Sequence, residues 1–230
     1  MDIKKTITCI LIRPKYSPIN TSEKELEMAK VAEKLHQWAE ELFGYTDKVH
    51  IIDIQNENAN RKIVEEILSK NPKIPVLFYG HGLENGYSLL GHYGENILDS
   101  DNNSLLKERS VLAIACYSLI HFAKDCINKG VSGYIGYKDR FFVPSDDIPL
   151  VDMEIIQKSY RIPNNTGALQ SLNNWNIKEI YDCMCNAYES EFNELLNLAL
   201  NDESYKPFAL GLLANLIGLN YEPNEQSGNE

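Results

Sequence analysis

Short apolar runs alternate with stretches of helical spacing along the first 140 residues of the chain. Residues 6–12 form a β-branched, largely apolar run that stops at Arg13. A run of this kind is typical of a strand that is covered on both faces of a sheet. Strands that alternate with helices form βαβ units, so the chain is predicted to be an α/β protein with a mostly parallel central sheet flanked by helices. The other predicted strands lie at 49–54, 75–79, 111–115 and 131–137.

Capping and spacing signals predict the helices between these strands. Ser22 and Glu25 match a capping box, and apolar residues follow at spacings of three and four as far as Leu42. A shorter helix is predicted after Asn60, and another over residues 120–128.

Two segments depart from this alternation. Residues 86–90 and 95–98 flank a Gly-containing turn, which predicts a small β-hairpin. Residues 141–174 contain Pro144, Pro149, Pro163 and an Asn-Asn-Thr-Gly sequence, so we expect a loop-rich region there. Long loops in compact domains are often functional, which makes this region a candidate for specificity or regulation.

The chain is expected to form one domain over residues 1–230, because a chain of this length suits one large domain. It would consist of a core, the loop-rich region, two C-terminal helices and a disordered polar tail. These parts are placed at residues 5–140, 141–174, 175–221 and 222–230.

Charge and cysteine usage narrow the class of protein. The net charge of −11 argues against nucleic acid as a partner, because nucleic-acid-binding proteins carry basic patches. The five cysteines are odd in number and irregularly spaced, so free thiols and a cytoplasmic location are expected. The apolar run at residues 6–12 is too short to cross a bilayer, so no membrane association is expected. Cys183-Met184-Cys185 lacks the spacing of a zinc site, and no metal or other cofactor is expected.

Two reactive side chains follow two of the apolar runs. His81 lies between Gly80 and Gly82 at the end of one run, and Cys116 follows the next run. Because ligands collect at the carboxyl ends of strands in an α/β sheet, the imidazole and the thiol are expected to share one rim. Histidine can take the proton of a cysteine thiol, and the amide N–H groups of Gly82 and Cys116 are candidates for an oxyanion hole.

Each of these residues also has a structural interpretation. A cysteine at a strand end is often a buried small hydrophobe, and a loop histidine often caps backbone groups. Their occurrence together, after strands that are expected to be neighbours, favours the chemical interpretation.

The segments Phe78-Tyr79-Gly80-His81-Gly82 and Leu112-Ala113-Ile114-Ala115-Cys116 resemble the caspase-like clan (clan CD) of cysteine peptidases. That clan includes caspases, metacaspases, gingipains, separase, legumain and the bacterial CHAT proteins. The resemblance spans residues 6–140, and the hairpin and the Gly133-Tyr134-Ile135-Gly136-Tyr137 strand are similar to the CHAT pattern.

The chain departs from true caspases around the cysteine. Caspases carry Gln-Ala-Cys-x-Gly, with the histidine about 50 residues upstream. Here Ile114 replaces the glutamine, Ser118 stands where the glycine would, and the histidine precedes the cysteine by 35 positions. A CHAT-type or separase-like relative is therefore favoured.

The resemblance implies a caspase-like sandwich fold and a cysteine endopeptidase that needs no cofactor. Cys116 would be the nucleophile and His81 the general base and acid. Protein or peptide would be the substrate, with a regulatory protein as a further partner. By analogy of fold, the setting would be bacterial defence or regulated proteolysis.

The resemblance also suggests where substrate specificity arises. In this clan, the strand after the nucleophile and its following loop shape the pocket for the P1 residue, which precedes the scissile bond. Asp139, Asp146 and Asp147 lie there, and a carboxylate in that pocket would select Arg or Lys.

Two other functions remain open from the sequence. The fold could be catalytically degenerate and serve as a binding or regulatory module. A nucleotide-binding domain or another hydrolase is the second alternative, although the chain lacks a phosphate-binding Gly-rich loop, a dinucleotide fingerprint and a Gly-x-Ser-x-Gly elbow.

Overall fold

The computed structural model describes residues 7–45, 49–145 and 151–224. Within these ranges the chain forms eight strands and six α-helices. In chain order they are β1 (Ile7–Arg13), α1 (Glu23–Glu40), β2 (Val49–Gln55), α2 (Arg61–Lys70), β3 (Val76–Tyr79), β4 (Leu89–Leu90), β5 (Asn96–Leu98), β6 (Ser110–Ile114), α3 (Phe122–Asn128), β7 (Gly133–Tyr137), α4 (Met153–Asn173), α5 (Ile177–Asn201), α6 (Lys206–Gly218) and β8 (Leu219–Pro223). No helix of the described ranges combines the length and the apolar character that crossing a membrane requires.

The central sheet has six strands in the order β2-β1-β3-β6-β7-β8. The first five strands of that order are parallel, and β8 pairs with β7 in the antiparallel direction. Strand order reverses around β1, as in doubly wound folds, and β4 and β5 form a separate two-stranded hairpin. The predicted α/β class, the mostly parallel sheet and the hairpin are confirmed.

Both faces of the sheet are apolar and covered. Cys9 and Leu11 of β1 point to one face, where α1, α4, α5 and α6 pack. Ile10 and Ile12 point to the other, where α2, α3 and the β4–β5 hairpin pack. Because both faces are buried, the sequences of these strands are continuous apolar runs and not alternating patterns.

The predicted helix starts at α1 and α2 are confirmed by their caps. The Ser22 hydroxyl accepts a hydrogen bond from the Glu25 amide at 3.4 Å, and the Asn60 side chain accepts one from the Ile63 amide at 3.1 Å. The Glu25 carboxylate does not return to Ser22; it accepts from the Tyr16 hydroxyl instead.

The prediction of a loop-rich region at 141–174 is wrong over most of that length. Residues Met153–Asn173 form the continuous helix α4, with Pro163 inside it. Its buried face carries an apolar row at intervals of four and eight residues, namely Ile156, Tyr160, Ala168 and Leu172. Packing of that face against the sheet outweighs the local preference of proline, asparagine and glycine for turns.

The turn-forming residues of α4 have packing roles. Asn164 donates to the Tyr160 carbonyl at 2.8 Å and accepts from the Tyr137 hydroxyl at 2.7 Å. A side chain at Gly167 would overlap Met184 of α5, so glycine permits the close approach of the two helices.

The C-terminal part contains the two predicted helices, α5 and α6, followed by a strand that was not predicted. Glu222 and Pro223 belong to β8, so the boundary of the disordered tail predicted at residue 222 is too early in the chain. Residues 225–230 of that tail lie outside the described residues.

Candidate active site

The carboxyl ends of β3 and β6 bring His81 and Cys116 to the same edge of the sheet. Tyr79 pairs with Ile114, and the Gly80 amide donates to the Ile114 carbonyl at 3.2 Å. His81 and Cys116 each follow the paired positions by two residues. The expectation that the two side chains share one rim is therefore confirmed at the level of the backbone.

Gly82 and Cys116 are in direct backbone contact. A Cβ built on Gly82 would overlap the Cys116 carbonyl oxygen and lie 3.1 Å from the carbonyl carbon. Any other residue would push the two loops apart, so glycine is required by close approach at this position. The contact explains how the imidazole and the thiol come to line one groove.

His81 is held in one tautomer. Its Nε2 lies 2.7 Å from the Met28 carbonyl oxygen of α1. A carbonyl only accepts, so Nε2 carries the proton and Nδ1 keeps the lone pair in the neutral ring. Burial lowers the pKa of His81, and the bond to Met28 only partly opposes that fall. The ring is therefore neutral at neutral pH, with Nδ1 available as a base.

Tyr16 fixes the position of the imidazole from the side. Its ring meets the His81 ring edge-on, with ring centroids 5.5 Å apart. The Tyr16 hydroxyl donates to the Glu25 carboxylate at 2.9 Å, and the same carboxylate accepts from the Ile19 amide at 3.0 Å. This loop therefore packs over His81 and is tied to the first turn of α1.

The Cys116 thiol contacts the segment that follows β7. The Phe141 amide donates to Sγ at 3.2 Å, and Sγ donates to the Phe141 carbonyl at 3.7 Å. Burial raises the pKa of the Cys116 thiol, and the Phe141 hydrogen bond and the charge of Arg140 oppose that rise. The thiol is thus protonated at rest, beside a donor that favours its ionised form.

The turn after the nucleophile candidate is strained. Tyr117 has φ of 54°, a left-handed conformation that is uncommon for a bulky residue. Its amide donates to the Asp139 carbonyl at 3.0 Å, which holds the turn against the end of β7. Strain of this kind clusters at functional sites.

The structure also shows what the two candidate amide groups bind. Among the described residues, the N–H groups of Gly82 and Cys116 donate to no other residue, and the Cys116 N–H lies close enough to its own Sγ to lower the pKa of the thiol. Gly82 and Leu89 form an antiparallel bridge, and the residues on either side of them make its hydrogen bonds. The N–H of Gly82 itself therefore points away from the hairpin.

The groove around these groups has a volume of about 330 Å³. Its apolar wall and floor contain Met28, Val31, Leu83, Leu90, Phe141, Phe142 and Val143. Four charged side chains also line it. Glu84 and Lys24 form an exposed ion pair at 3.6 Å, whereas Glu27 and Arg140 have no ion-pair partner among the described residues.

Of the three aspartates predicted to bind substrate, the structure describes only Asp139, which is not in this groove. Asp139 is exposed, its carboxylate accepts from the Arg140 amide at 2.7 Å, and it does not line the groove. Asp146 and Asp147 lie outside the described residues. Arg140, the neighbour of Asp139, lines the groove and contributes a positive charge there.

Sequence reasoning missed the groups that orient the pair. Met28 and Phe141 act through their main chains, which no side-chain pattern reveals. Arg140 is adjacent to Asp139 in sequence, and only the direction of the chain after β7 decides which of the two faces the groove.

In the part of the chain that the structure describes, no group of three or more His, Cys, Asp or Glu side chains is placed to hold a metal ion. His36 is buried, with Nε2 at 3.0 Å from the Arg13 guanidinium and Nδ1 at 3.0 Å from the Arg13 carbonyl, which is a structural role.

Comparison with known proteins assigns no family. The chain matches no protein-family model, and a search of curated proteins gives no significant match.

Proposed function

We propose that this chain is a caspase-like cysteine peptidase in which Cys116 is the nucleophile and His81 is the general base and acid. The observation that carries the proposal is the backbone contact between Gly82 and Cys116, which brings a neutral imidazole and a thiol to one groove. The N–H groups of Gly82 and Cys116 donate to no other residue among those described, which leaves them as candidates for the oxyanion hole. The five free thiols favour a reducing compartment, and we place the enzyme in the cytoplasm.

The reaction is acyl transfer to the thiol. His81 Nδ1 takes the Cys116 proton, and Sγ attacks the carbonyl carbon of the scissile peptide bond. The N–H groups of Gly82 and Cys116 stabilise the oxyanion. The C–N bond then breaks as His81 returns the proton to the leaving amine. Water, deprotonated by His81, hydrolyses the thioester and regenerates the thiol.

The resting pair is uncharged. The raised pKa of Cys116 and the lowered pKa of His81 both disfavour a thiolate–imidazolium pair before substrate arrives. The proton therefore moves within the bound complex, where the oxyanion donors and the Phe141 amide stabilise the developing charge.

The P1 preference is expected to be acidic rather than basic. Arg140 lines the groove, and its positive charge is close enough to lower the pKa of the Cys116 thiol. Asp139, one of the three aspartates behind the expectation of a basic P1 residue, accepts a hydrogen bond from the Arg140 amide. A guanidinium pairs with a carboxylate through two parallel hydrogen bonds, so Asp or Glu at P1 fits this wall.

Labelling with peptide acyloxymethyl ketones tests the proposal. Probes with Asp, Leu, Lys or Arg at P1 are incubated with the parent, Cys116→Ala and His81→Ala, and intact mass is read. The expected result is one adduct on the parent, fastest for Asp, and none on Cys116→Ala. Cys126→Ala serves as the matched control, because Cys126 is buried in α3 and should leave labelling unchanged. Failure of every probe on the folded parent contradicts the proposal.

A second candidate is a catalytically degenerate domain that binds a peptide in the groove. The observation that favours it is the uncharged resting pair, since burial holds both groups in the less reactive form. In that case the parent would bind acidic peptides without forming an adduct, which calorimetry detects.

A further inference from the structure

Helix α6 carries one buried polar side chain whose position packing alone does not explain. Beyond Lys206 its residues are apolar except for Asn215, which is fully buried. An apolar side chain would avoid the cost of removing an amide from water. Buried amides are retained where their hydrogen bonds are made, so the partners of Asn215 show its role.

Both polar atoms of Asn215 bind the main chain of one residue. The Phe142 amide donates to Asn215 Oδ1 at 2.7 Å, and Asn215 Nδ2 donates to the Phe142 carbonyl at 2.9 Å. The two residues are 73 positions apart in the chain. The side chain therefore clamps one point of residues 140–144, a segment without regular structure that we call the strap.

The clamped peptide unit is the one that contacts the thiol. The Phe142 N–H and the Phe141 carbonyl belong to a single planar peptide group, so fixing one fixes the other. That Phe141 carbonyl accepts from Cys116 Sγ at 3.7 Å, and the Phe141 N–H, one Cα away, donates to Sγ at 3.2 Å. A rotation of that peptide group would turn the Phe141 carbonyl away from the sulfur and, through the shared Cα, displace the Phe141 N–H.

We propose that Asn215 is a positioning residue for the nucleophile, which holds the strap so that the Phe141 amide donates to the Cys116 sulfur. This inference rests on the proposed function for its catalytic meaning. Asn215 does not line the groove, so it acts on the thiol through the strap.

The rest of the strap is held independently of the clamp. The Phe141 ring is buried and packs against Tyr137 and Trp38, with ring centroids 4.6 Å and 6.5 Å away. The thiol therefore stays covered when the clamp is removed, and the hydrogen bond to sulfur is what changes. Among the described residues, the charges of Arg140 and Asp139 act on the pKa of the thiol and His81 lines the same groove, and none of the three is hydrogen-bonded to Asn215.

The test is the pH dependence of Cys116 alkylation by iodoacetamide, followed by peptide mass spectrometry on the full chain. Asn215→Leu keeps the size and removes both hydrogen bonds. We expect alkylation at neutral pH to fall about threefold to tenfold, because a thiolate that loses one hydrogen bond has a higher pKa. Against an acidic P1 substrate, kcat should fall by a similar factor.

Leu212→Ala is the matched control. Leu212 is buried on α6 one turn before Asn215, so its truncation destabilises the helix without touching the clamp. Its Cys116 should titrate as in the parent despite a lower melting temperature. If Asn215→Leu does not fold, Asn215→Ser replaces it, with the same direction and a smaller change.

The outcomes separate the inference from the proposed function. An unchanged or faster alkylation of folded Asn215→Leu, or an equal change in Leu212→Ala, overturns the positioning role. Absence of probe labelling on the parent contradicts the peptidase instead, and the alkylation profile still decides whether Asn215 acts on the thiol.

Discussion

Replacing Gly82 with alanine is the most direct perturbation of the candidate site. The new Cβ overlaps the Cys116 carbonyl oxygen, whereas its distance of 3.6 Å from the Ala115 Cβ is an ordinary contact. The clash is thus confined to one main-chain carbonyl, which cannot change rotamer to avoid it.

Two movements can relieve the clash, and each has a cost. The peptide that contains the Cys116 carbonyl also contains the Tyr117 N–H, which donates to the Asp139 carbonyl at 3.0 Å. Rotating this peptide breaks that hydrogen bond, which costs about 1 kcal/mol of stability. The rotation would occur at Tyr117, which already has φ of 54°. Separating the two loops instead disrupts the packing at this edge of the sheet, which costs about 1–3 kcal/mol of stability.

The expected loss of stability is therefore about 1–3 kcal/mol, or roughly 2–12 °C in melting temperature for a chain of this size. Activity should fall further, because a displacement of about 1 Å between reacting groups can cost on the order of 100-fold in rate. Urea unfolding and the labelling rate with an Asp-P1 probe measure the two effects separately.

Gly44→Ala is the control for the glycine substitution itself. A Cβ at Gly44 meets nothing within 4 Å, so this variant should be as stable as the parent or more stable by up to about 1 kcal/mol. If Gly82→Ala kept both the parental unfolding midpoint and the parental labelling rate, the contact between the two loops, and with it the proposed site geometry, would be refuted.

Three further predictions concern other parts of the chain. Arg109 is buried and donates to three backbone carbonyls, so Arg109→Met should lower the free energy of unfolding by at least about 3 kcal/mol in urea, and an unchanged midpoint would contradict this. Burial lowers the pKa of His36 below 6.5 in the folded chain, so the unfolded chain binds more protons below that pH. Stability should therefore fall as the pH drops through 6.5, the ordinary pKa of histidine, and fall less in His36→Gln; a flat profile refutes the assignment. Arg140→Glu should slow labelling by an Asp-P1 probe more than about tenfold and speed an Arg-P1 probe, whereas an unchanged order of probes would remove Arg140 from the P1 pocket.

The sheet could be predicted because its strands are covered on both faces. Runs such as 6–12 and 75–79 carry a strong apolar signal, and the structure places β1 and β3 at those positions within a residue or two. The signal that a helix follows was equally clear at Ser22, where the cap and the apolar spacing agree.

Helix α4 could not be predicted with the same signals because tertiary contacts decide it. Pro163 and Gly167 have local preferences for turns, and only their neighbours in space explain the helix. The Asn164 side chain is bonded to the Tyr137 hydroxyl of the sheet, a contact between residues 27 positions apart. Strand β8 was missed for a similar reason, since its pairing with β7 joins segments far apart in sequence.

The candidate site consists of two side chains of reactive types and of main-chain groups that orient them. His81 and Cys116 could be predicted because each follows an apolar run as a single reactive residue. The Met28 carbonyl and the Phe141 amide could not, because any residue type supplies them. Their positions are decided by α1 and by the strap, and therefore by packing outside the two motifs.

The main-chain groups that orient the two side chains depend in part on the C-terminal half of the chain. The resemblance to caspase-like peptidases ends near residue 140, which would make the helices that follow a support for the core. Asn215 of α6 nevertheless reaches the strap at Phe142, and the strap reaches the sulfur of Cys116. If Cys116 is the nucleophile, its environment is completed only when α6 has packed against the sheet, so the reactive thiol and the finished fold arise together.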